Sequence, residues 1–303
     1  MTDQSMPFCL YCKSYEGDVR RAAVLKESVD RFNHNGMKFY ISIPAADRAL
    51  FVNRLGTSGV ELIDDEEIVR ANPRVEPQRY AGWDGRLAQQ VIKSEFWRLI
   101  PCDSYACVDS DCRFLRDFRT SDFVHPSGHP YTLLDQEKEI QQLGINLGRD
   151  KWVYALRDLL HRTKKRFGRI GPDYNFGSVP YIWSRKVWQD LDEKFLAPEG
   201  ITLWEAVAEI PSEALWYGEC LLKYESIPLY PIQPLFRIYH YDWQWQAMRA
   251  LGETDEKLAK NFLGVDYQSN WYFELDAGTK VRPLTSRLLR WAKRWRVTPK
   301  KIS

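Results

Sequence analysis

Two aspartates placed two residues apart, Asp109 and Asp111, form the sharpest chemical pattern in the sequence. They follow the apolar run Tyr105–Val108, which predicts a buried strand ending at Asp109. On an extended backbone, residues two apart point to the same side, so both carboxylates can face one ligand. Hard oxygen donors of this kind suit Mg²⁺ or Mn²⁺, either of which can neutralise a diphosphate. The pair therefore predicts a divalent metal site, with a turn of solvated acids as the alternative.

A polar turn and a helical lysine are candidates for contacts with a nucleotide. The turn at residues 14–18 follows the first predicted strand, where a doubly wound sheet usually meets its nucleotide. Tyr15 could stack on a base, and Asp18 could hold the base or the ribose, or only cap the helix that follows. Lys93 precedes the strand that ends at Asp109 and could approach a phosphate, although exposed helix lysines are common.

The elements that must position these residues alternate between strands and helices over the first 120 residues. Apolar runs predict strands, and helical spacing predicts helices, in this order: Pro7–Tyr15, Val19–Phe32 (helix), Met37–Ile43, Ala45–Leu55 (helix), Val60–Ile63, Gly85–Leu99 (helix) and Tyr105–Val108. The alternation predicts an α/β fold with a mainly parallel sheet flanked by helices. Ligands of such sheets bind beyond the carboxyl ends of the strands, where Asp109 and Asp111 would lie.

The second half of the chain has a less regular pattern. Asp150–Arg166 and Lys186–Phe195 have helical spacing, whereas His125–Tyr131 is a loop rich in proline and glycine. Gly177–Ser184 predicts a strand or turn, and Leu229–Tyr241 contains strand-like runs interrupted by prolines. No internal repeat or low-complexity linker separates the two halves, so we expect them to form one compact domain.

Composition narrows the class of protein. The net charge over 303 residues is only +2, which argues against nucleic acid as a partner. The sequence has no secretory signal at its N-terminus and no apolar run long enough to span a membrane. Cys9 and Cys12 form a C-x-x-C inside a predicted strand, so we expect reduced core cysteines rather than a redox or zinc pair. We therefore expect a cytoplasmic or peripheral protein.

The segment 277–303 differs from the rest because it contains basic but no acidic residues. Helical spacing joins apolar and aromatic residues on one face, with basic residues on the flanks: Leu284, Leu288, Trp291 and Trp295, flanked by Arg287, Arg290, Lys293 and Arg294. A basic amphipathic helix with tryptophans at its boundary is typical of binding to an anionic membrane surface. The alternative is a helix whose tryptophan face packs on the domain.

The stretch around the aspartate pair resembles the Asp-x-Asp segment of GT-A glycosyltransferases, in which a hydrophobic strand runs into Asp-x-Asp and a Phe-Leu follows. Further segments resemble a bacterial group of glycosyltransferases of surface-polysaccharide and lipopolysaccharide synthesis. These segments are the turn with Tyr15, Gly17 and Asp18, the helix at residues 28–32, the pair Gln89 and Gln90 with Lys93, and the stretch with Ser212, Glu213, Tyr217 and Gly218. The resemblance covers roughly residues 7–245 in the same order.

The resemblance implies a GT-A (Rossmann-like) fold and roles for several residues. Asp109 and Asp111 would bind Mn²⁺ or Mg²⁺, with His240 completing the set of metal ligands, unless His240 is a structural residue among its aromatic neighbours. Gln89, like Lys93, would contact the nucleotide sugar. Glu213 would be the carboxylate base of an inverting transferase, with Glu219 and Asp173 as alternatives, although Ser212 and Glu213 also fit a plain helix start.

These observations together predict a metal-dependent glycosyltransferase. It would move a sugar from a nucleotide-sugar donor, with a UDP-sugar favoured, to a lipid-linked or surface-polysaccharide acceptor. We expect a domain at residues 1–276, with a nucleotide-binding half at 7–120 and an acceptor half at 121–276, followed by the basic tail. The protein would lie in the cytoplasm, peripheral on the inner membrane. The alternatives are a metal-dependent nucleotidyltransferase and a non-catalytic, membrane-associated glycan-binding protein.

Overall fold

The computed structural model describes residues 6–76, 78, 82–177 and 179–271. Its strands are β1 (Met6–Lys13), β2 (Phe39–Ile43), β3 (Glu61–Asp64), β4 (Cys102–Asp109), β5 (Cys112–Phe114), β6 (Thr132–Leu133), β7 (Tyr181–Ser184), β8 (Pro231–Ile232), β9 (Phe236–Tyr239) and β10 (Gly264–Tyr267). Its α-helices are α1 (Val19–Phe32), α2 (Arg48–Leu55), α3 (Asp65–Arg70), α4 (Gly85–Leu99), α5 (Lys138–Asn146), α6 (Asp150–Arg166), α7 (Arg185–Leu191), α8 (Leu203–Glu209), α9 (Glu213–Tyr224), α10 (Asp242–Ala250) and α11 (Asp255–Leu258).

A five-stranded sheet in the order β3-β2-β1-β4-β7 lies at the centre of the fold. Strands β1 to β4 run parallel, and β7 runs antiparallel to β4 at the edge. The central strands are mostly apolar, as expected for a sheet whose two faces are both covered. The prediction of an α/β fold with a mainly parallel sheet flanked by helices is confirmed.

Two smaller sheets join parts of the chain that are far apart in sequence. β5, β10 and β9 form one sheet in that order, with β5 antiparallel and β9 parallel to β10. β6 pairs in parallel with β8. Because β5 follows β4 after two residues, the first of these sheets continues from the carboxyl edge of the central sheet.

The cysteines lie in the core, as the sequence predicts. All six are buried and free. Cys9 and Cys12 are three residues apart on β1, so their side chains face opposite sides of the sheet and pack into two different apolar clusters. This geometry is incompatible with a redox or zinc pair.

Helix α4 is exposed at its start and enclosed toward its end. The Asp84 side chain caps it by accepting a 2.8 Å hydrogen bond from the Arg86 amide. From Val91 to Trp97 every residue is buried, including the polar residues 93–95. A buried polar side chain needs a partner, so this half of α4 requires partners on neighbouring elements. The partner of Lys93 is part of the candidate site.

Several boundaries differ from the predicted ones for local reasons. The helix predicted at Ala45–Leu55 begins with a 3₁₀ turn at Ala45–Asp47, and the one predicted at Lys186–Phe195 ends in a π-helical turn at Asp192–Leu196.

The predicted basic amphipathic helix at 277–303 lies outside the described residues. Within the described residues, no helix combines the length and apolarity needed to cross a membrane.

Candidate functional site

The carboxyl edge of the central sheet carries the two aspartates that the sequence singles out. β4 ends at Asp109, whose Cα pairs in register with that of Lys13 at the end of β1. Asp111 follows two residues later and leads into β5. The two carboxylates therefore lie where two sheets meet, at the edge where open α/β sheets bind ligands.

Lys93 is a buried positive charge between two acids. Its Nζ lies 2.7 Å from Asp109 Oδ1 and 3.3 Å from Glu213 Oε1, and its side chain is 4% exposed. Burial alone would lower the pKa of the Lys93 ammonium, but the charges of Asp109 and Glu213 outweigh it and hold that pKa well above its usual value. Three residues that the sequence proposes for separate reasons thus form one network.

Glu213 enters this network from the start of α9. The helix is capped by Ser212, whose Oγ accepts a hydrogen bond from the Leu215 amide at 3.4 Å. Glu213 is therefore the first residue of a helix, in agreement with the interpretation of Ser212 and Glu213 as a helix start. Its buried carboxylate also contacts Lys93. The ring of Tyr181, at the start of β7, lies 5.4 Å from Lys93 Nζ and covers the network.

Asp111 lies in a neighbouring group of charges. Its Oδ2 accepts a 2.7 Å hydrogen bond from the Ser269 amide, so the segment after β10 closes over it. Burial and then the charge of Asp109 raise the pKa of Asp111 to about 6, although the Ser269 hydrogen bond and Arg21 act in the opposite direction. Asp111 is thus a partly shielded carboxyl with one oxygen held by the backbone.

The residues that the sequence predicts to contact the nucleotide lie on two elements, the turn before α1 and the helix α4. Asp18 Oδ1 accepts a 2.8 Å bond from the buried Arg21, and the Asp18 side chain makes no hydrogen bond to the start of α1. Tyr15 is 44% exposed, and its ring lies against Gly17, where a Cβ would come within 2.6 Å of the ring. Gln89 is half-buried on α4, one turn before Lys93.

A third acid, Asp266, completes a compact group with Asp111. In the described part of the chain, Asp111, Cys112 and Asp266 form a group of possible ligands whose donor atoms all lie within 4.8 Å of one another. Asp266 stands opposite Cys112 in the antiparallel pairing of β10 with β5. The sequence pattern alone does not single out Asp266, although an acid between the apolar residues of the short buried strand β10 is unusual.

His240 follows β9 and lines a cavity rather than joining that group. Its amide donates a 2.9 Å hydrogen bond to Gln244 Oε1, and its ring is half-buried. Burial lowers the pKa of the His240 imidazole to about 4, which keeps the ring neutral near pH 7. Its role as a metal ligand stays a prediction.

The cavity beside His240 has a volume of about 560 Å³ and contains a strained acid, Glu137. Glu137 has φ +56° and accepts a 2.6 Å hydrogen bond from Asn175 Nδ2. Burial and the nearby Asp135 raise the pKa of Glu137 to about 7. A left-handed backbone and a raised pKa at one residue of a cavity are features that functional sites often share. No periodic pattern in the sequence identifies this residue.

Glu137 should make the stability of the fold fall as pH rises. Its pKa in the folded chain, about 7, exceeds its usual value of 4.5. Between these values the unfolded chain releases a proton that the folded chain keeps, so stability is lost as pH rises through the window. We expect Glu137→Gln to match the wild type near pH 4.5 and to be more stable by about 1–3 kcal/mol at pH 8.

Urea unfolding at the two pH values, with chelator present, measures this difference. The exposed Glu139→Gln, two residues away, is the matched control and should follow the wild type at both pH values. Asp135 and His240, which line the same cavity, are present in all three proteins and cancel in the comparison. Parallel pH curves for Glu137→Gln and the wild type would contradict the expectation.

The two other carboxylates considered as bases have partners of their own. Glu219 is 1% exposed and receives two hydrogen bonds from the guanidinium of Arg169, at 2.5 and 2.8 Å. Asp173 pairs with Lys164 at 2.5 Å. The ion pair of Glu219 links α9 to the segment after α6, which is a structural contact. Of the three candidates, Glu213 is the one that contacts the network of Lys93 and Asp109.

Comparisons with known proteins give a family match and a set of loosely similar solved structures, among them two of LgtC. The family described as "Family of unknown function (DUF6492)" matches residues 3–255. A structure of an active-site mutant of LgtC is 14% identical, covers 94% of this chain and 95% of its own, and has a TM-score of 0.49. The structure of the galactosyltransferase LgtC in complex with donor and acceptor sugar analogues is 14% identical in sequence and has a TM-score of 0.47. The match covers 96% of this chain and 98% of the LgtC chain. No curated protein matches the sequence.

Proposed function

The chain belongs to DUF6492, a family of unknown function, and we propose that it is a metal-dependent glycosyltransferase. The donor is a nucleotide sugar, with a UDP-sugar favoured, and the acceptor is a lipid-linked or surface-polysaccharide glycan. The observation that carries this proposal is the buried network of Lys93, Asp109 and Glu213, placed at the carboxyl edge of a parallel sheet beside Asp111. It supplies a fixed positive charge and several carboxylates at one ligand-binding edge.

The residues at this edge fit a divalent cation. Asp109 and Asp111 offer hard oxygen donors, and the nearby Asp266 carries two buried carboxylate oxygens without a hydrogen-bond partner among the described residues. Asp109 and Asp111 would hold the cation. When bound, Mn²⁺ or Mg²⁺ would neutralise the negative charge that develops on the leaving diphosphate.

The other residues have separate roles in the proposal. Lys93 holds Asp109 and Glu213 in place, and its ammonium offsets part of the negative charge at the edge that a diphosphate would approach. Glu213 takes the proton from the acceptor hydroxyl. Tyr15, Asp18 and Gln89 contact the donor: Tyr15 has the exposed ring for stacking, and the other two offer polar groups.

The acceptor, in this proposal, occupies the cavity of about 560 Å³ beside Glu137. This volume is within the range of small-molecule sites. The segment at Asn175 links the cavity to the network, because Asn175 holds Glu137 on one side and Gly177 packs closely against Ala214, the neighbour of Glu213, on the other. A lipid-linked acceptor would also suit the basic tail at 277–303 and a peripheral position at the inner membrane.

Calorimetric titration with nucleoside diphosphates tests the donor and metal parts of the proposal. We expect UDP or another nucleoside diphosphate to bind the wild type with Mn²⁺ and not with chelator. Asp111→Ala should weaken this binding at least about tenfold, the scale of losing a group that tunes a metal site. Asp103→Ala, an exposed aspartate at the other end of β4, is the control and should bind like the wild type. The absence of binding for every nucleotide tested would remove the proposal and favour a glycan-binding protein.

A further inference from the structure

Asp266 is a buried carboxyl group that receives no hydrogen bond from a donor among the described residues. It is 1% exposed, and neither of its oxygens has a partner among the described residues. Burying such a group is costly unless something pairs with it, and a native protein rarely keeps one without a reason. A positive charge placed there would remove the cost.

The position of Asp266 indicates which positive charge that would be. Its carboxylate lies in the group with Asp111 and Cys112, where all donor atoms are within 4.8 Å of one another. No described lysine or arginine forms an ion pair with Asp266. Lys93 is already engaged by Asp109 and Glu213, at 2.7 and 3.3 Å. A cation from solution would supply the charge of opposite sign that the described residues do not place beside these oxygens.

Asp109 alone is a weakened partner for Asp111 in metal binding. One of its oxygens is held by the Lys93 ammonium, which offsets its negative charge. A second full carboxylate beside Asp111 would restore the negative charge that a divalent cation needs. β10 brings Asp266 to this place through its pairing with β5, 155 residues further along the chain than Asp111 by sequence number.

We propose that Asp266 is a ligand of the divalent cation that Asp111 binds, so that the turn before β5 and the strand β10 hold the cation between them. The inference rests on the proposed function in one respect, namely that a diphosphate would bind the same cation. The two carboxylates are hard donors and favour Mn²⁺ or Mg²⁺, whereas the Cys112 thiol is a soft donor and is not needed for either ion. Because the proposed ligands are side chains of the protein, the metal should bind in the absence of a nucleotide.

Electron paramagnetic resonance of Mn²⁺, titrated alone into the full chain, measures this binding because bound Mn²⁺ loses the signal of the free ion. We expect Asp266→Asn to weaken Mn²⁺ binding at least about tenfold. Cys112→Ser should bind like the wild type, and so should Asp103→Asn, an exposed aspartate on β4. Equal Mn²⁺ affinity for Asp266→Asn and the wild type would overturn the inference, and so would a wild type that binds no Mn²⁺.

Thermal unfolding gives a readout that is independent of affinity. In chelator, Asp266→Asn should be at least as stable as the wild type, because the amide removes a buried carboxyl without a partner. At the same Mn²⁺ concentration, the melting temperature should rise less for Asp266→Asn than for the wild type, because the variant binds the ion more weakly. If the asparagine variant does not fold, Asp266→Ser, which is smaller and uncharged, gives the same comparison. Stabilisation of the variants by Mn²⁺ to the wild-type extent would contradict the inference.

The outcome also separates this inference from the proposed function. A wild type that binds Mn²⁺ through Asp266 but no nucleoside diphosphate keeps the inference and removes the transferase proposal. Metal-dependent nucleotide binding that is unchanged in Asp266→Asn keeps the transferase proposal and overturns the inference.

Discussion

Replacing Lys93 with methionine is expected to destabilise the fold by about 3–5 kcal/mol, because removal of one partner leaves a buried charge uncompensated. In this case the carboxylates of Asp109 and Glu213 would lose the ammonium that lies 2.7 and 3.3 Å from them. The side chain of Asp109 is 26% exposed, so water can relieve part of the loss and the value should fall in the lower half of that range. Urea unfolding at pH 7 measures it.

A second lysine provides the matched control for this measurement. Lys26 pairs with Asp30 at 2.6 Å on α1, and the Asp30 side chain is 46% exposed. Lys26→Met should therefore change stability by no more than about 0.5 kcal/mol. Adding Asp109→Asn and Glu213→Gln to Lys93→Met should recover much of the lost stability, because the three groups act as one network. Equal effects of the two lysine variants would show that Lys93 is not the buried counter-charge described above.

Alanine at Gly218 is expected to destabilise the fold by about 3 kcal/mol, the upper end of the usual cost of overpacking a core. Gly218 lies within α9, and a Cβ there would overlap the ring of Phe176. The ring, which is 3% exposed, can make room only by moving its own backbone. That movement would displace Asn175, which holds Glu137, so the cavity should change as well.

Gly85→Ala is the control for this effect. Gly85 is the first residue of α4, its φ is not positive, and a Cβ there meets no atom within 4 Å. Alanine at this position should stabilise the chain slightly, by less than about 1 kcal/mol, since it restricts the unfolded state. Combining Gly218→Ala with Phe176→Leu should give less than the sum of the two losses if the ring is the obstacle. If the two losses of stability are additive, the strain in Gly218→Ala does not come from the ring of Phe176.

The parts of the fold that the sequence predicts well are those set by local patterns. Helices α1 and α4 agree with their predicted bounds because each spans three turns or more, enough for a clear apolar stripe. Asp109 and Asp111 were identified for the same reason, since a strand and its following turn are contiguous. Short helices such as α3 and α11 have too few residues to display a period, and none of the patterns predicts them.

The site could be predicted only in part because its contacts are long-range. Lys93 and Glu213 are 120 residues apart, and no spacing rule predicts that pair. Glu213 was proposed from a resemblance, whereas its contact with Lys93 comes from the packing of α9 against α4. Asp266 cannot be predicted as a site residue, because a single acid in a four-residue strand indicates a site only when the residues on the neighbouring strand are known. The antiparallel direction of β7 also could not be predicted, because it depends on a long-range pairing with β4.

The hydrogen bond from Ser269 to Asp111 spans 158 residues, and this separation has a consequence for how the protein is made. Contacts between distant parts of a chain form late and slow the search for the native state. During synthesis, the central sheet can assemble from β1 to β4 long before β10 leaves the ribosome. Over that interval Asp111 would stand uncovered at the edge of a nearly complete sheet. The nascent chain would therefore acquire its scaffold first, and the cover of the aspartate edge would be among the last parts to close.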